Sequence, residues 1–491
     1  MNATDRPRKC AMARAGERVL VRGDWPATRW LLSLMVLCVV GWLVVECVRG
    51  HQPAGWHAGD RLGWSLAVLA AAVLIGRGTA LGRPVTAGHA LAAAAVLSAG
   101  VAAQLRSFDV LGYVLLAGCG WALMWPTTAS PQPDALPRVR ALVDATCGDP
   151  LAPFAMHTLK SYHFNAAATA VLAYRTRLGF AVVSGDPIGD DAALGQLVAD
   201  FTKMCRRRGW RIIVLACSQR CLALWHRGVR RPTMLKVPIG HDVVIDVQRF
   251  TMVGRRFRNL RQAVQRTHNC GVSTEIVDEQ GLDETLAAEL AEVLRSAHRG
   301  SRTERGFCMN LDGALEGRYP GSKLIIARDR EARVQGFHRY ATAGHGSDVT
   351  LDVPYRRPDA PNGIDERLSI DMIADAKAHN AQRLSLAFAA FPEIFDNKNR
   401  GPLHRVFYRL IHLLDPLISL ESLYRYLRKF HSLGERRYAL LSAHHVPAAL
   451  IVLLSLEFMP RRRRQKRRTT AALRKSQPHR PFAEYARSQR A

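Results

Sequence analysis

Four apolar stretches alternate with short polar segments in the first quarter of the chain. The first, residues 30–48, is about 20 residues long, which is enough to cross ~30 Å of hydrocarbon at ~1.5 Å per helical residue. The other three are residues 62–75, 85–105 and 110–125. We predict four membrane-spanning helices within residues 29–126, after a leader at residues 1–28. A cleaved signal peptide is the competing interpretation of the first stretch, and the long leader favours a retained span.

Basic residues indicate how these spans are oriented. Six of them lie in residues 1–28, and Arg77 and Arg83 lie between the second and third spans. Because positive charge concentrates on the cytoplasmic side of membrane proteins, we expect a cytoplasmic N-terminus, to which an even number of crossings returns the chain. The region after Pro126 is then cytoplasmic, at a cell membrane. No span has a charge at its centre, which favours anchoring over transport.

A pattern of strands, a glycine-containing loop, a helix and a strand occurs twice after a linker at residues 127–150. In the first copy, we predict strands at 170–174 and 179–184, a helix at 192–208 and a strand at 210–216. In the second copy, we predict strands at 323–327, 334–343 and 348–354, a helix at 364–379 and a strand at 383–389. The pattern predicts an α/β fold with two related subdomains, residues 151–250 and 251–441.

The charge balance points to a polyanionic partner. Lys and Arg number 69 against 41 Asp and Glu, a net charge of +28. Anionic lipid headgroups and tRNA are both candidates, although positive-inside topology explains part of the excess. Basic residues are dense in a segment that reads as helical, at Arg255, Arg256, Arg258, Arg261 and Arg266. We interpret this segment, and Arg258 and Arg261 in particular, as a phosphate contact rather than a merely solvated face.

The cysteines favour neither a disulfide framework nor a metal site. Ten cysteines are present, with no CxxC pair. The group of Cys205, Cys217, Cys221 and His226 resembles a ligand set, but two of the thiols fall at or just after a predicted strand, where burial is the commoner role of cysteine. We expect no metal and no cofactor.

Five short segments, in order along the chain, carry a resemblance to a known family. They are GDPIGD at 185–190, RNLRQA at 258–263, ERGF at 304–307, Asp352 with DAPNGIDE at 359–366, and RKF at 428–430 followed by Arg437 and Tyr438. Together they resemble the C-terminal domain of phosphatidylglycerol lysyltransferase, also called lysylphosphatidylglycerol synthase, over about residues 154–441.

The resemblance implies a tandem fold related to the Gcn5-type N-acetyltransferases (GNAT). In this family an aminoacyl group passes from aminoacyl-tRNA to the glycerol hydroxyl of phosphatidylglycerol at the membrane surface, and residues matching Asp352 and the region of Lys429 belong to the aminoacyl site. The chain departs from the family pattern at Tyr355 and Leu427, which replace an arginine and a lysine, and at residues 387–391. We expect a remodelled pocket, and neither lysine specificity nor flippase activity is carried over.

Transfer from an activated ester requires mainly that a hydroxyl be oriented, that its proton be accepted and that an oxyanion be stabilised. The candidate catalytic residues are Asp352, Glu366 and Lys429. Asp352 and Glu366 are suited to a donor ammonium, and Lys429 or Arg356 to phosphate or oxyanion charge. The structural alternatives are that Asp352 caps its loop and that Glu366 complements a helix N-terminus.

Further candidate substrate-binding residues lie in the loops. Asn362 and Gly363 form a predicted turn at a helix start, where free N–H groups can receive an anion, although a purely structural role is the simpler interpretation. Asp186 and Glu304 are included because they belong to the resembling segments. The loop at 359–366 lacks the glycine spacing with which acetyl-CoA enzymes hold pyrophosphate, which argues against a CoA donor.

The end of the chain, residues 442–491, combines an apolar segment at 446–459 with a polybasic run at 461–468. This combination predicts an interfacial segment clamped to an anionic leaflet, and a core helix followed by a solvated tail is the alternative. We therefore predict a membrane-bound aminoacyltransferase that uses aminoacyl-tRNA and an anionic phospholipid. Two alternatives stay open: a non-catalytic lipid-binding or regulatory protein, and an aminoacyltransferase with another acceptor. The sequence does not indicate the oligomeric state.

Overall fold

The computed structural model describes residues 19–21, 34, 38, 41, 45, 58–228, 234–297, 309–390 and 420–458. Almost all of the first predicted span lies outside these residues, and so do Glu304 and the polybasic run.

Three helices form the N-terminal bundle: α1 (Ala58–Ala80), α2 (Ala87–Leu105) and α3 (Asp109–Leu123). Among the described residues, the Gly63–Ala80 part of α1 and the whole of α2 have the length and apolar composition to cross a bilayer. Helix α3 is apolar but only 15 residues long. Two of the four predicted spans therefore correspond to such helices, and the four-span arrangement stays a prediction.

Small residues let the three helices approach closely. A Cβ on Gly120 of α3 would lie 2.6 Å from the carbonyl oxygen of Ala71 in α1, so only glycine permits this contact. Gly63 lies against Tyr113 and Gly78 against Met124, which shows that α1 and α3 run in parallel. A short strand in the leader, β1 (Val19–Val21), pairs with β2 (Val85–Thr86). The leader therefore lies at the same end of the bundle as the α1–α2 loop.

The rest of the described chain contains one twelve-stranded sheet. Its strands are β3 (Ser161–Phe164), β4 (Ala170–Arg177), β5 (Phe180–Ser184), β6 (Ile188–Gly189), β7 (Arg211–Ser218), β8 (Met234–Asp246), β9 (Ser273–Asp278), β10 (Lys323–Arg328), β11 (Val334–Ala343), β12 (Asp348–Arg356), β13 (Arg383–Ala390) and β14 (Leu433–Ser442). The order is β3-β4-β5-β7-β14-β8-β13-β12-β11-β10-β9, with β6 beside β4.

Eight helices cover this sheet in the described part of the chain. They are α4 (Leu136–Ala145), α5 (Asp191–Arg207), α6 (Leu222–Gly228), α7 (Arg258–Asn269), α8 (Glu284–Ala297), α9 (Ile364–Ala378), α10 (Leu420–Arg428) and α11 (Val446–Phe458). Helix α5 shows why these segments fold as they do. Asp190 caps its first turn by accepting a hydrogen bond from Ala192 N–H, and Leu194, Leu197 and Phe201 form its buried stripe.

The repeated pattern read from the sequence is confirmed. Each predicted strand and helix of the two copies is present, with ends within three residues of those predicted. The two copies also share a pairing that the sequence does not show directly. Strands β5 and β7 are parallel in the first copy, and β12 and β13 are parallel in the second, whereas the other described pairs are antiparallel.

The two copies exchange strands at their junction. Strand β14, from the end of the second predicted subdomain, lies between β7 and β8. Strand β8, from the first predicted subdomain, pairs with β13 of the second. The copies are therefore joined by backbone hydrogen bonds into one continuous sheet.

This order of strands orients the second copy towards the bundle. Strand β7 is antiparallel to β14, β14 to β8 and β8 to β13, so β12 and β13 run opposite to β5 and β7. Their carboxyl ends thus point towards the end of the sheet at which β5 and β7 begin. That end of the sheet contacts the segment after α3, because the Trp210 indole N–H donates to the Thr127 carbonyl at 2.9 Å.

Candidate active site

The candidate site lies where β12 and β13 separate. The two strands pair only from Asp348 and Arg383 to Thr350 and Ser385. Strand β12 then continues to Arg356 beside β11, while β13 continues along β8. We call the unpaired gap between the two strands the opening. Arg356, at the end of β12, lies 3.5 Å from Asp365 in the first turn of α9, so the gap lies beside the N-terminus of that helix.

The loop before α9 is held by a close backbone contact. Gly363 has φ of 103°, and a Cβ on it would lie 2.6 Å from the Ala263 carbonyl oxygen of α7. Glycine is therefore required both by the backbone conformation and by the space. Asn362 is exposed beside it. The predicted turn is present, and it packs the start of α9 against the basic helix α7.

Two acid–base pairs meet at the start of α9. The Glu366 carboxylate forms a short ion pair with Lys429, whose side chain is 35% exposed. The neighbouring Asp365 accepts from His338 Nε2 at 3.2 Å and lies 3.5 Å from Arg356 Nε. The structure thus brings together Glu366, Lys429 and Arg356, three of the predicted site residues.

A series of buried polar side chains is connected to Asp365 through His338. His338 is fully buried, and its Nδ1 lies 3.4 Å from the Tyr340 hydroxyl. That hydroxyl lies 3.5 Å from Ser369 Oγ, which in turn contacts the Tyr426 hydroxyl. Burial acts to raise the pKa of Asp365, but the hydrogen bond and charge of His338, with Arg356 and Lys429, lower it below its ordinary value. Asp365 is therefore an ionised carboxylate held in one position.

Asp352 lies on the opposite face of the sheet from this cluster. Its carboxylate accepts from Arg339 Nη1 at 3.0 Å and from Leu311 N–H at 2.8 Å. Arg339 follows His338 along β11, and successive strand residues point to opposite faces. The Arg339 guanidinium also donates to Glu279 at 2.9 Å, and all three side chains are fully buried.

Burial dominates the electrostatics of Asp352. It raises the pKa of the carboxyl to about 7, against the lowering effect of Arg339 and of the Leu311 N–H. The predicted grouping of Asp352 with Glu366 and Lys429 is not present in this structure. The geometry favours a structural role for Asp352, in which it holds the loop at Leu311 and not the loop after β12 that we expected it to cap.

Asp186 belongs to a second buried cluster, at the junction of the two copies. Arg437 of β14 donates to Asp242 at 2.7 Å, to Asp149 at 2.8 Å and to Asp186 at 3.1 Å. Asp186 also accepts from Ser218 N–H at 3.0 Å. Burial and the neighbouring Asp149 raise the pKa of Asp186, and burial raises that of Asp242 to about 6. The predicted substrate contact at Asp186 is thus enclosed in a structural ion cluster.

The basic segment forms the start of α7, beside the candidate site. Arg258 is exposed, and Arg261 donates to the carbonyl of Gly254 at 2.8 Å. The Arg256 carbonyl oxygen lies 3.0 Å from His431 Nε2, two residues beyond Lys429. The arginines of α7 therefore extend the positive surface that begins at Lys429.

Two residues of the site did not stand out in the sequence. Asp365 directly precedes Glu366, so the sequence does not distinguish their roles. In the helix, successive residues are rotated by about 100°, and this rotation gives the two carboxylates different partners. His338 lies within an apolar strand, where a histidine usually has a structural role. The signal that could have identified His338 is a polar side chain on the strand face that packs against the N-terminus of a helix.

Comparison with known proteins decides the family. Residues 140–441 match the family model described as phosphatidylglycerol lysyltransferase, C-terminal, over more than half of the chain. The chain belongs to this family. The resemblance read from the five short segments is confirmed.

Relatives of this phosphatidylglycerol lysyltransferase family member differ in length. The chain is 62% identical over 449 residues to the MprF-like domain protein Rv1619 of Mycobacterium tuberculosis, covering 91% of this chain and 93% of that protein. It is 29% identical over 283 residues to the lysylphosphatidylglycerol biosynthesis bifunctional protein LysX of Rhodococcus jostii, covering 56% of this chain. The matched part is 25% of that LysX protein's length.

Solved structures agree on the fold. L-PGS from Bacillus licheniformis matches with a TM-score of 0.57 and 16% identity, over 67% of this chain and 98% of that one. The C-terminal domain of a putative lysylphosphatidylglycerol synthetase from Agrobacterium fabrum matches with a TM-score of 0.57 and 18% identity, over 66% and 97%. The region after the bundle has the GNAT-like acyltransferase fold, and the family identifies the chain as an acyltransferase.

Proposed function

We propose that this protein transfers an aminoacyl group from aminoacyl-tRNA to a phospholipid such as phosphatidylglycerol. The observation that carries the proposal is the Glu366–Lys429 pair at the divergence of β12 and β13, beside the ionised Asp365. The relatives named for lysylphosphatidylglycerol biosynthesis support the lipid acceptor.

Each charged group at the start of α9 has a suitable part in this reaction. The lipid hydroxyl attacks the ester carbonyl carbon of the donor, and the bond from that carbon to the ribose oxygen breaks. Glu366 accepts the hydroxyl proton, which then passes to the departing ribose oxygen. Lys429 stabilises the oxyanion. Asp365 holds the α-ammonium of the donor, because its lowered pKa keeps it charged.

The exposed arginines suit the phosphates of both substrates. Arg356, 49% exposed, adjoins Asp365 at the opening. Arg258 on α7 provides a second cationic contact in reach of a nucleic acid backbone. In this proposal Asn362 lines the approach to the site, and Asp352 fixes the loop at Leu311 rather than contacting substrate.

We also propose a multi-pass membrane location with the transferase region in the cytoplasm. Arg77 and Arg83 lie at the bundle end that contacts the sheet, and the leader strand β1 pairs at the same end. This arrangement matches the positive-inside distribution. The opening between β12 and β13 lies towards the end of the sheet that contacts the bundle, so the site faces the bilayer that contains the acceptor.

The lipid composition of cells tests this proposal. We expect an aminoacylated phospholipid in cells that express the gene and its absence from cells without it, measured by thin-layer chromatography and mass spectrometry of extracted lipids. A Glu366→Gln copy should restore none of it, because the proton acceptor is lost. A Glu284→Gln copy, which changes an exposed acid in the first turn of α8, should restore all of it. Identical lipid profiles with and without the gene would reject the proposal in favour of a non-catalytic protein.

A further inference from the structure

Three arginines lie near the contact between the helical bundle and the sheet. Arg77 lies in the last turn of α1, Arg83 in the α1–α2 loop and Arg211 at the start of β7. A Cβ on Gly179 would lie 3.9 Å from Arg83 Nη2, and the Gly179 carbonyl accepts from Arg211 N–H at 2.9 Å. Arg83 and Arg211 therefore flank the same residue, from the bundle and from the sheet.

The positive charge of this junction is not neutralised within the described residues. None of the carboxylates that the structure describes lies within ion-pair distance of Arg77, Arg83 or Arg211. Burial and the proximity of Arg211 and Arg77 lower the pKa of Arg83, and burial and Arg77 lower that of Arg211. A bound anion would relieve this repulsion.

The junction is held in one geometry by close backbone contacts. Gly209 has φ of 64°, and a Cβ on it would lie 2.6 Å from the Gly82 carbonyl oxygen. The Arg83 guanidinium donates to the Met124 carbonyl at 2.8 Å, which links the α1–α2 loop to the end of α3. The arginines are thus presented by packed segments rather than by free loops.

In the proposed membrane arrangement, this junction lies at the headgroup level of the bilayer. Arg83 lies in the loop between the two helices that have the composition of membrane spans. Trp121 and Trp125, with ring centroids 4.3 Å apart, lie at the same end of α3, and tryptophan is enriched at membrane–water interfaces. Basic pockets at the ends of spanning helices suit anionic lipid headgroups.

We propose that Arg77, Arg83 and Arg211 bind the phosphate of an anionic phospholipid, which fastens the transferase region to the bundle. This site is separate from the candidate active site, because four strand spacings of ~4.8 Å, roughly 19 Å, separate β7 from β12. The proposal rests on membrane insertion of the bundle and not on aminoacyl transfer.

Short-chain phosphatidic acid provides a probe that separates this site from catalysis, because it has no headgroup hydroxyl to accept an aminoacyl group. We expect dioctanoyl phosphatidic acid to raise the thermal unfolding midpoint of the full chain in detergent by at least about 3 °C. Dioctanoyl phosphatidylcholine and inorganic phosphate should raise it by less than a third as much.

Two double variants that lose the same amount of charge test whether these arginines form the binding site. Arg77→Gln/Arg211→Gln leaves the bond from Arg83 to Met124 in place, and it should lose more than half of the shift. Arg295→Gln/Lys377→Gln removes the same charge from exposed positions on α8 and α9 and should keep the full shift. The proposal is overturned if the first double variant keeps the full shift. It is also overturned if phosphatidylcholine or inorganic phosphate matches phosphatidic acid, or if bulk tRNA abolishes the shift that phosphatidic acid causes in the wild-type chain.

Discussion

Replacing Lys429 with methionine should reduce aminoacyl transfer by about 100- to 1,000-fold, the usual effect of removing one group that stabilises an oxyanion. Lys429 is the cation paired with Glu366, and its partly exposed ammonium lies at the opening between β12 and β13. The change is best measured as the initial rate of lipid labelling by the purified full chain.

Removal of Lys429 also leaves Glu366 buried without its partner, so stability has to be measured alongside activity. The double variant Lys429→Met/Glu366→Gln should regain the thermal midpoint of the wild type and stay inactive. Lys377→Met removes a lysine from the other end of α9, at an exposed position, and should keep the wild-type rate. A Lys429→Met protein with wild-type turnover would remove Lys429 from the mechanism.

Replacing Arg437 with methionine should destabilise the transferase region by about 3–5 kcal/mol, which corresponds to a fall of about 10 °C in the thermal unfolding midpoint. Arg437 is the shared partner of Asp149, Asp186 and Asp242. Its removal leaves three buried carboxylates with only the half-exposed Arg220, whose Nε lies 3.9 Å from Asp186. Arg436→Met, at the exposed neighbouring position, should change the midpoint by less than about 2 °C.

The effect of Arg437→Met should depend on pH in a defined direction. Burial raises the pKa of Asp242 to about 6, so the native state binds its proton more tightly than the unfolded state, and stability falls as the pH rises towards that value. Without Arg437, which lowers the pKa values of Asp186 and Asp242, those two values rise further. The difference between variant and wild type should therefore be smaller at pH 5 than at pH 8, and an equal difference at both would show that the acids are not the cause.

Local patterns were enough to predict the repeated elements, because each depends on residues close in sequence. The strand at residues 334–343, which is buried almost throughout, and the capped helix after Asp190 are examples. The position of β14 between β7 and β8 is different, because it joins segments about 200 residues apart. No local signal marks such a pairing. The buried ion pairs of Arg437 depend on this strand pairing, so the sequence did not indicate them either.

The candidate site was predictable in part for the same reason. Glu366 and Lys429 belong to two segments of the family pattern, and the structure places them in contact. The pattern cannot indicate to which face of the sheet Asp352 points. The register between β11 and β12 shifts after Arg339, and that irregularity sets the side on which the carboxylate lies.

Lipid labelling by charged tRNA tests the proposed function most directly. The purified full chain is placed in nanodiscs that contain phosphatidylglycerol, and tRNA charged with a mixture of radiolabelled amino acids is added. We predict that label moves into the chloroform-soluble phase with the wild type and not with Lys429→Met. The proposed transfer would be contradicted if, for every amino acid, the label stayed on tRNA or appeared only as free amino acid. In that case the rate of label release would be the same with and without the protein.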